Sequence, residues 1–213
     1  HLLYLDTKDD TYELIPTSPS MKPYKIAIFF SGLERSLVGS KYNMRQDECK
    51  AAAYALQAFS GQEYGKFADT RLRDVPVEIF REYEERLPES WRKRAVHYYE
   101  ETARAEAGAE AWRRGNLEEY GQLIFESGYS SIYNYESGSP ELKTLYDIMS
   151  AMEGIYGRFS GAGFKGCCMA LINPEYAEQI EKQVEERYLE TYPALTGKYS
   201  FHLCESADGV TIR

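Results

Sequence analysis

The first thirty residues carry the apolar and polar pattern of short β-strands. His1–Thr7 is rich in apolar residues, Lys8–Asp10 is a polar turn, and Tyr12–Ile15 is apolar again, which is typical of a hairpin. Tyr24–Phe30 is rich in β-forming residues with little alternation, which favours a strand covered on both faces. We therefore predict three strands in this part of the chain.

The middle of the chain has the pattern of consecutive helices. Ala-rich composition, Pro in first turns and Gly after last turns are the propensity and boundary signals of helices. The predicted helices are Asn43–Phe59, Val77–Leu87, Glu89–Arg114, Leu117–Ser130 and Pro140–Met152. No strand pattern interrupts this block, so we expect it to be entirely helical.

The remaining residues return to strands that surround one helix. Pro174–Tyr192 has the apolar spacing of an amphipathic helix. The predicted strands are Gly154–Ser160, Cys167–Ile172, Lys198–Cys204 and a last short one at Val210–Ile212.

The order of these elements predicts an α+β fold. Strands, then helices, then a β-α-β unit are expected to form a mostly antiparallel sheet with the helices packed on one of its faces. We find no linker that would divide the chain, so we predict a single domain over residues 1–213.

Composition and charge exclude several classes of protein. The 213 residues include 34 acidic and 25 basic side chains, a net charge of −9, which argues against nucleic-acid and anionic-membrane partners. Every apolar run is far shorter than the ~20 residues that cross a bilayer. Four cysteines without CxxC spacing and three scattered histidines favour reduced thiols in a cytoplasmic protein and argue against a zinc site. The chain begins with His1 rather than Met, so we expect it to be part of a longer protein.

The clearest chemical signal is the segment Phe159–Cys168, which reads FSGAGFKGCC. Its three glycines lie between two predicted strands and allow positive φ, so successive N–H groups can point at one anion. Lys165 adds a positive charge to the same segment. The alternative, which spacing alone favours slightly, is a plain glycine-rich hairpin turn or β-bulge.

Two further segments carry polar groups that could bind a ligand. Arg35–Arg45, RSLVGSKYNMR, lies between a predicted strand and a predicted helix, and Tyr42 there could hydrogen-bond a sugar hydroxyl. The alternative for this segment is an exposed loop followed by a helix start. Arg92–His97 is interpreted as a solvated basic helix face whose side-chain stems pack on the helix.

Segments along the whole chain, taken in order, resemble those of a known family. Residues 1–7, HLLYLDT, resemble HALLIDC, and residues 35–49, RSLVGSKYNMRQDEC, resemble RHSLASSEYPVRRRQC. Residues 160–172, SGAGFKGCCMALI, resemble TGGGFGGCTVAL, and residues 201–209, FHLCESADG, resemble a C-terminal strand and turn. These are segments of galactokinases, which belong to the GHMP small-molecule kinases. The chain is identified as a member of this family, and it resembles the C-terminal half of a galactokinase.

The resemblance implies a fold and a reaction. The fold is the GHMP kinase C-terminal domain, with ferredoxin-like β-α-β elements. The reaction is transfer of the γ-phosphate of ATP to the anomeric hydroxyl of a sugar, with Mg²⁺. The implied substrate-binding residues are Tyr42, which matches a sugar-binding tyrosine, and Gly161, Ala162, Gly163 and Lys165 of the glycine-rich segment.

Two departures from the galactokinase pattern change what we expect. Ala162 and Lys165 replace glycines, and the segment resembles plant galacturonate kinases more closely, so Lys165 is expected to pair with a uronate carboxylate. The catalytic Asp of the family is expected upstream of His1, together with the main ATP loop. We therefore expect this chain to be inactive alone, to bind neither ATP nor Mg²⁺ tightly, and to need its own N-terminal domain.

Two other classes of function stay open at this point. A sugar-binding or regulatory relative would keep the fold without turnover, and the upstream Asp would be lost in it. A stand-alone interaction domain would bind neither sugar nor nucleotide and would have a specific protein partner. For the enzyme, the candidate sugars are galactose, galacturonate and arabinose.

Overall fold

The structure is a computed structural model that describes residues 1–34, 42–63 and 65–207. The strands are β1 (Leu2–Asp6), β2 (Thr11–Ile15), β3 (Lys25–Phe30), β4 (Ile155–Phe159), β5 (Cys167–Ile172) and β6 (Ser200–Cys204). The helices are α1 (Tyr42–Phe59), α2 (Val77–Tyr83), α3 (Glu89–Arg113), α4 (Leu117–Tyr133), α5 (Pro140–Ser150) and α6 (Ala177–Thr191). The predicted strand Val210–Ile212 and most of the segment Arg35–Arg45 lie outside the described residues.

The described residues form two compact units. The first comprises residues 1–34, 107–128 and 138–207, and the second comprises residues 42–63, 65–106 and 129–137. The single domain over residues 1–213 stays a prediction.

A four-stranded sheet forms the centre of the first unit. Its strand order is β4-β5-β3-β6, and every neighbouring pair is antiparallel. Phe29 lies opposite Cys168 of β5 and opposite Phe201 of β6, which fixes the register around β3. Strands β3–β6 with helices α5 and α6 follow the order β-α-β-β-α-β of ferredoxin-like folds, and helices α1–α4 lie between β3 and α5 in the chain. The predicted α+β fold with an antiparallel sheet is therefore confirmed.

Helices α5 and α6 cover one face of this sheet. Because side chains alternate along a strand, Ala27, Phe29 and Cys168 all point to this face, and all three are fully buried. The two helices contribute buried residues at helical spacing: Leu142, Leu145, Met149, Ile180, Val184 and Tyr188. Burial of each large apolar side chain contributes about 1.5–3 kcal/mol, so this face is the main core of the unit.

Helix α4 lies beside the edge strand β4. The sequence predicts helices on one face of the sheet, and α4 is packed beside β4 in addition to them. Tyr156 and Arg158 alternate with the buried residues of β4, so they point away from α5 and α6. The ring of Tyr156 lies against Gly121, where an added Cβ would be 2.1 Å from the ring. Arg158 donates a hydrogen bond to the hydroxyl of Ser127. Helices therefore cover one face of the sheet and also flank its β4 edge.

Strands β1 and β2 form a separate two-stranded antiparallel ribbon in the first unit. On one face of the ribbon Ile15 is 1% exposed and packs against the end of α3. On the other face Leu3 lies opposite Leu14 and Leu5 lies opposite Tyr12. These four side chains are 45–66% exposed, and we call them the apolar face of the ribbon.

The second unit is built from helices around its own core. Short 3₁₀ turns at Phe67–Asp69 and Leu72–Asp74 lead from α1 to α2. The buried core residues are Ala52, Ala53, Leu56, Leu72, Val75, Phe80, Leu87 and Ala95. Ala52 and Ala53 of α1 are small residues of this core, and aromatic side chains, Phe59, Tyr83 and Tyr99 among them, pack against it.

Within the described part of the chain, no helix has both the length and the apolar composition needed to cross a lipid bilayer.

Candidate functional site

Residues 160–166 form the turn between β4 and β5, and we call this turn the glycine loop. The backbone angle φ is +68° at Gly161, +74° at Gly163 and +108° at Gly166, values that residues with a Cβ rarely adopt. Gly163 also touches the ring of Phe159, because an added Cβ would lie 2.4 Å from that ring. The conformation of this loop therefore requires glycine.

Two serines from other elements hold carbonyl groups of the glycine loop. Ser139, the N-cap of α5, donates its N–H to the Gly163 carbonyl at 2.7 Å. Ser31, directly after β3, donates its N–H at 2.9 Å and its hydroxyl at 2.7 Å to the Gly166 carbonyl. No local sequence signal pointed to either serine, because both bonds join segments that are distant in the chain.

Gly161, Ala162 and Lys165 are the exposed residues of the glycine loop, whereas Gly163 and Gly166 are buried. Within the described residues, the N–H groups of positions 161–165 donate to no protein acceptor. Lys165 is exposed, and no carboxylate of the described residues pairs with its ammonium group. Successive unpaired N–H groups beside a cation are the chemistry of an anion-binding turn. The loop can thus accept a phosphate or a carboxylate.

Tyr42 lies in the second unit, where it is the first residue of α1. Its side chain is 38% exposed, and its hydroxyl accepts a hydrogen bond from Gln46 Nε2 at 3.3 Å. The other four predicted site residues, Gly161, Ala162, Gly163 and Lys165, share the glycine loop of the first unit. The structure therefore brings these four residues together in one loop, whereas Tyr42 belongs to the second unit.

A buried ion cluster lies close to Tyr42 within the second unit. Arg94 is 0% exposed and donates to Glu48 at 2.6 Å and to Glu136 at 2.7 Å. Arg45, one turn after Tyr42, pairs with the same two carboxylates at 3.2 and 3.5 Å. The cluster therefore joins the start of α1 to α3 and to the segment after α4.

The electrostatic environment of this cluster is strongly positive at Glu136. The hydrogen bond from Arg94 is the largest cause, and with Lys93 it lowers the pKa of Glu136 to about 2. The prediction that Arg92–His97 is a solvated face is wrong for Arg94. Its guanidinium is buried because acidic partners elsewhere in the second unit satisfy its charge.

The cysteines are free thiols in the structure, at positions Cys49, Cys167, Cys168 and Cys204. Burial raises the pKa of Cys49 to about 11, so this thiol is neutral at pH 7. Over residues 1–34, 42–63 and 65–207, no group of three or more His, Cys, Asp or Glu side chains could hold a metal ion.

Comparison with known proteins gives consistent results. The family described as GHMP kinases C terminal matches residues 109–190. Galacturonokinase from Arabidopsis thaliana is 39% identical over 217 residues, which cover 99% of this chain and 50% of the relative. Galactokinase from Roseiflexus sp. (strain RS-1) is 32% identical over 212 residues, which cover 99% of this chain and 51% of the relative.

Solved structures share the fold. Lactococcus lactis galactokinase complexed with galactose superposes with a TM-score of 0.82 at 28% identity, covering 98% of this chain and 51% of that protein. L. major mevalonate kinase in complex with R-mevalonate superposes with a TM-score of 0.51 at 12% identity, over 97% of this chain and 49% of that protein. The second likeness, at this low identity, shows the fold alone.

The fold and these matches define the class: the chain carries the GHMP kinase C-terminal domain, with a galactokinase-like fold. Galacturonokinase and galactokinase are homologues of this chain over nearly its whole length, and the solved neighbour at the higher identity is a galactokinase. The chain spans about half the length of the relatives that it matches.

Proposed function

We propose that the whole protein transfers the γ-phosphate of ATP to the anomeric hydroxyl of galactose or galacturonate. The observation that carries this proposal is the glycine loop, with three positive-φ glycines, anchored carbonyls and unpaired N–H groups beside Lys165. The kinship with galacturonokinase and galactokinase supports the same chemistry.

The glycine loop would act by stabilising charge. During phosphoryl transfer, negative charge is spread over the oxygens of the moving group, so fixed N–H donors aimed at them lower the barrier. Gly161 and Ala162, which are exposed, would supply such donors on the sugar side of the site, and the buried Gly163 would hold the turn in shape. Tyr42 would donate a hydrogen bond from its hydroxyl to the sugar.

Lys165 would select the sugar. An exposed ammonium group without a carboxylate partner in the described chain is free to pair with a carboxylate of the substrate. Galacturonate has such a carboxylate and galactose does not. We therefore favour galacturonate as the better substrate.

ATP with Mg²⁺ would supply the phosphoryl group and would neutralise part of its charge. The described residues fit the phosphate, through the free N–H groups and Lys165, but they offer no cluster of acidic ligands for the metal ion. The metal ligands and the catalytic Asp would come from the N-terminal half. This chain alone would then be inactive and would bind neither ATP nor Mg²⁺ tightly.

The N-terminal half would also be the physical partner of this chain. The apolar face of the ribbon exposes four large apolar side chains, and an isolated two-stranded ribbon is only marginally stable. The relatives are about twice as long as this chain, so a second half of similar size is available to cover that face.

We place the assembled protein in the cytoplasm, since its cysteines are free thiols.

ADP release by the full-length protein tests the proposed activity. The protein would be given ATP, Mg²⁺ and either galacturonate, galactose or arabinose. We expect turnover with galacturonate and no turnover by the 213-residue chain alone. Strong turnover with galactose and none with galacturonate would contradict the choice of sugar. Sugar binding without any turnover would instead indicate a regulatory relative.

The substitution Lys165→Met tests the role of Lys165 within the full-length protein. We expect kcat/KM for galacturonate to fall by about 10-fold to 100-fold, because one charge-assisted contact is lost, while kcat/KM for galactose changes little. Lys182→Met on α6 is the matched control, since its side chain is 75% exposed and pairs only along the helix. An equal loss with both sugars would contradict the proposed pairing.

A further inference from the structure

A chain of buried hydrogen bonds connects helix α6 to the glycine loop. The hydroxyl of Tyr188 donates to the Ser31 carbonyl at 2.8 Å. Ser31 in turn directs its N–H and its hydroxyl to the Gly166 carbonyl. Tyr188 and Ser31 are both 0% exposed, so water does not compete for these bonds.

This arrangement restricts the end of the loop to one geometry. Gly166 has a φ of +108° and directly follows Lys165, so its orientation sets the direction in which the chain leaves the loop and enters β5. A buried polar group that loses its partner is costly, so the three-residue chain is stable only when every bond is made. Rigid support of this kind keeps functional backbone groups in place.

We propose that Ser31 and Tyr188 are positioning residues for phosphoryl transfer, acting through the Gly166 carbonyl on the N–H groups of the glycine loop. The inference rests on the proposed function of that loop. Neither side chain touches the substrate, since both are buried behind the loop backbone. They act by fixing where the donors point before the phosphoryl group arrives.

Tyr146 offers a matched control for Tyr188. Its hydroxyl also donates to a backbone carbonyl at 2.8 Å, that of Phe125, and its side chain is 6% exposed. Its bond joins α5 to α4 and does not reach the glycine loop. Tyr188→Phe and Tyr146→Phe each remove a hydroxyl that donates to a backbone carbonyl at 2.8 Å, and the bond from Tyr188 is the one that leads to the loop through Ser31.

The first experiment compares these two variants in the full-length protein by steady-state kinetics and thermal unfolding. We expect similar falls in melting temperature for both. We expect kcat to fall by about 10-fold in Tyr188→Phe alone, because small displacements of catalytic groups cost this much, with KM for the sugar changed by less than about 2-fold. Equal kcat values in the two variants would overturn the proposal.

The second experiment is a double-mutant cycle on kcat with Ser31→Ala. Since Ser31 and Tyr188 act through one carbonyl, the double variant Ser31→Ala/Tyr188→Phe should lose less than the product of the two single losses. Ser31→Ala combined with Tyr146→Phe should show multiplicative losses. Multiplicative behaviour in both pairs would overturn the proposal. A wild-type protein inactive on every sugar would instead refute the proposed function, so the two failures are distinguishable.

Discussion

At the scale of single residues, two separate features of the structure require glycine at position 163. Its φ of +74° disfavours any residue with a Cβ, and the ring of Phe159 occupies the space that a Cβ would need. Gly197 has nearly the same φ, +76°, but nothing lies within 4 Å of an added Cβ. A comparison of substitutions at these two glycines therefore separates the cost of backbone strain from the cost of steric contact.

The substitution Gly163→Ala should destabilise the folded chain by about 2–4 kcal/mol. About 1 kcal/mol comes from the positive φ and about 1–3 kcal/mol from crowding against Phe159. The control Gly197→Ala should lose only the strain, about 1 kcal/mol. Urea unfolding of both variants gives the comparison, and equal losses would show that Phe159 does not restrict the loop.

A second residue-scale prediction concerns Glu136 and pH. Its pKa is about 2 in the folded chain against 4.5 as the ordinary value, so its ionised form stabilises the fold above about pH 4.5. That contribution is lost as pH falls from about 4.5 towards 2. Glu136→Gln should therefore be less stable than the wild type at pH 7, and the difference should shrink through this window.

Urea unfolding between about pH 7 and about pH 3 measures this difference. The control is the same substitution in the Arg94→Met background, where the main cause of the lowered pKa is gone. In that background, the stability difference caused by Glu136→Gln should depend much less on pH. A difference between Glu136→Gln and wild type that is constant over the whole range would contradict the account of the ion cluster.

At the scale of elements, two helical glycines differ in what surrounds them. Gly121 on α4 lies against the ring of Tyr156, with 2.1 Å between an added Cβ and Cγ of that ring. Gly108 on α3 has its nearest neighbour, Tyr120 Cε2, at an ordinary 3.4 Å. The packing of α4 beside β4 therefore depends on Gly121, whereas α3 only tolerates Gly108.

Gly121→Ala should destabilise the chain by about 1–3 kcal/mol, because crowding outweighs the better helix propensity of Ala. Gly108→Ala should stabilise it by about 0.5–1 kcal/mol, because only propensity changes there. Thermal and urea unfolding of the pair measure both signs. A stabilised Gly121→Ala variant would show that α4 does not pack closely on Tyr156.

The elements were predictable where their signals are local. Pro140–Met152 and Glu89–Arg114 were predicted from spacing and boundary residues, and the structure has α5 at Pro140–Ser150 and α3 at Glu89–Arg113. The glycine loop was predictable because its signal is also local: three glycines in a short segment indicate a turn with positive φ.

The supporting contacts were not predictable, because each joins distant positions. Arg94 was expected to be solvated, but its partners Glu48 and Glu136 lie 46 and 42 residues away in the chain. Tyr188 and Ser31 are 157 residues apart. Apolar periodicity reports which face of an element is buried, and it carries no record of which polar group meets which across the fold.

At the scale of the whole molecule, the apolar face of the ribbon is a surface that the described residues leave exposed. Leu3, Leu5, Tyr12 and Leu14 are arranged as two cross-strand pairs on one side of β1 and β2. If the N-terminal half covers this face, the ribbon should be more stable in the full-length protein than in this chain alone.

Hydrogen exchange tests that expectation. Amides of β1 and β2 should exchange at least about 10-fold faster in the 213-residue chain than in the full-length protein, since ribbon opening costs less when its face is bare. Amides of the central strand β5 serve as the internal control and should exchange alike in both. Equal protection of the ribbon in both proteins would contradict the assignment of this face to the N-terminal half.

The most direct measurement of the central claim is ³¹P NMR of the reaction product. The full-length protein would be incubated with ATP, Mg²⁺ and galacturonate, and in parallel with galactose. We predict that ADP and a sugar 1-phosphate appear together, with phosphorus coupled to the anomeric proton, and that the 213-residue chain alone forms neither. A folded full-length protein that phosphorylates neither sugar, or that phosphorylates a different hydroxyl, would contradict the account.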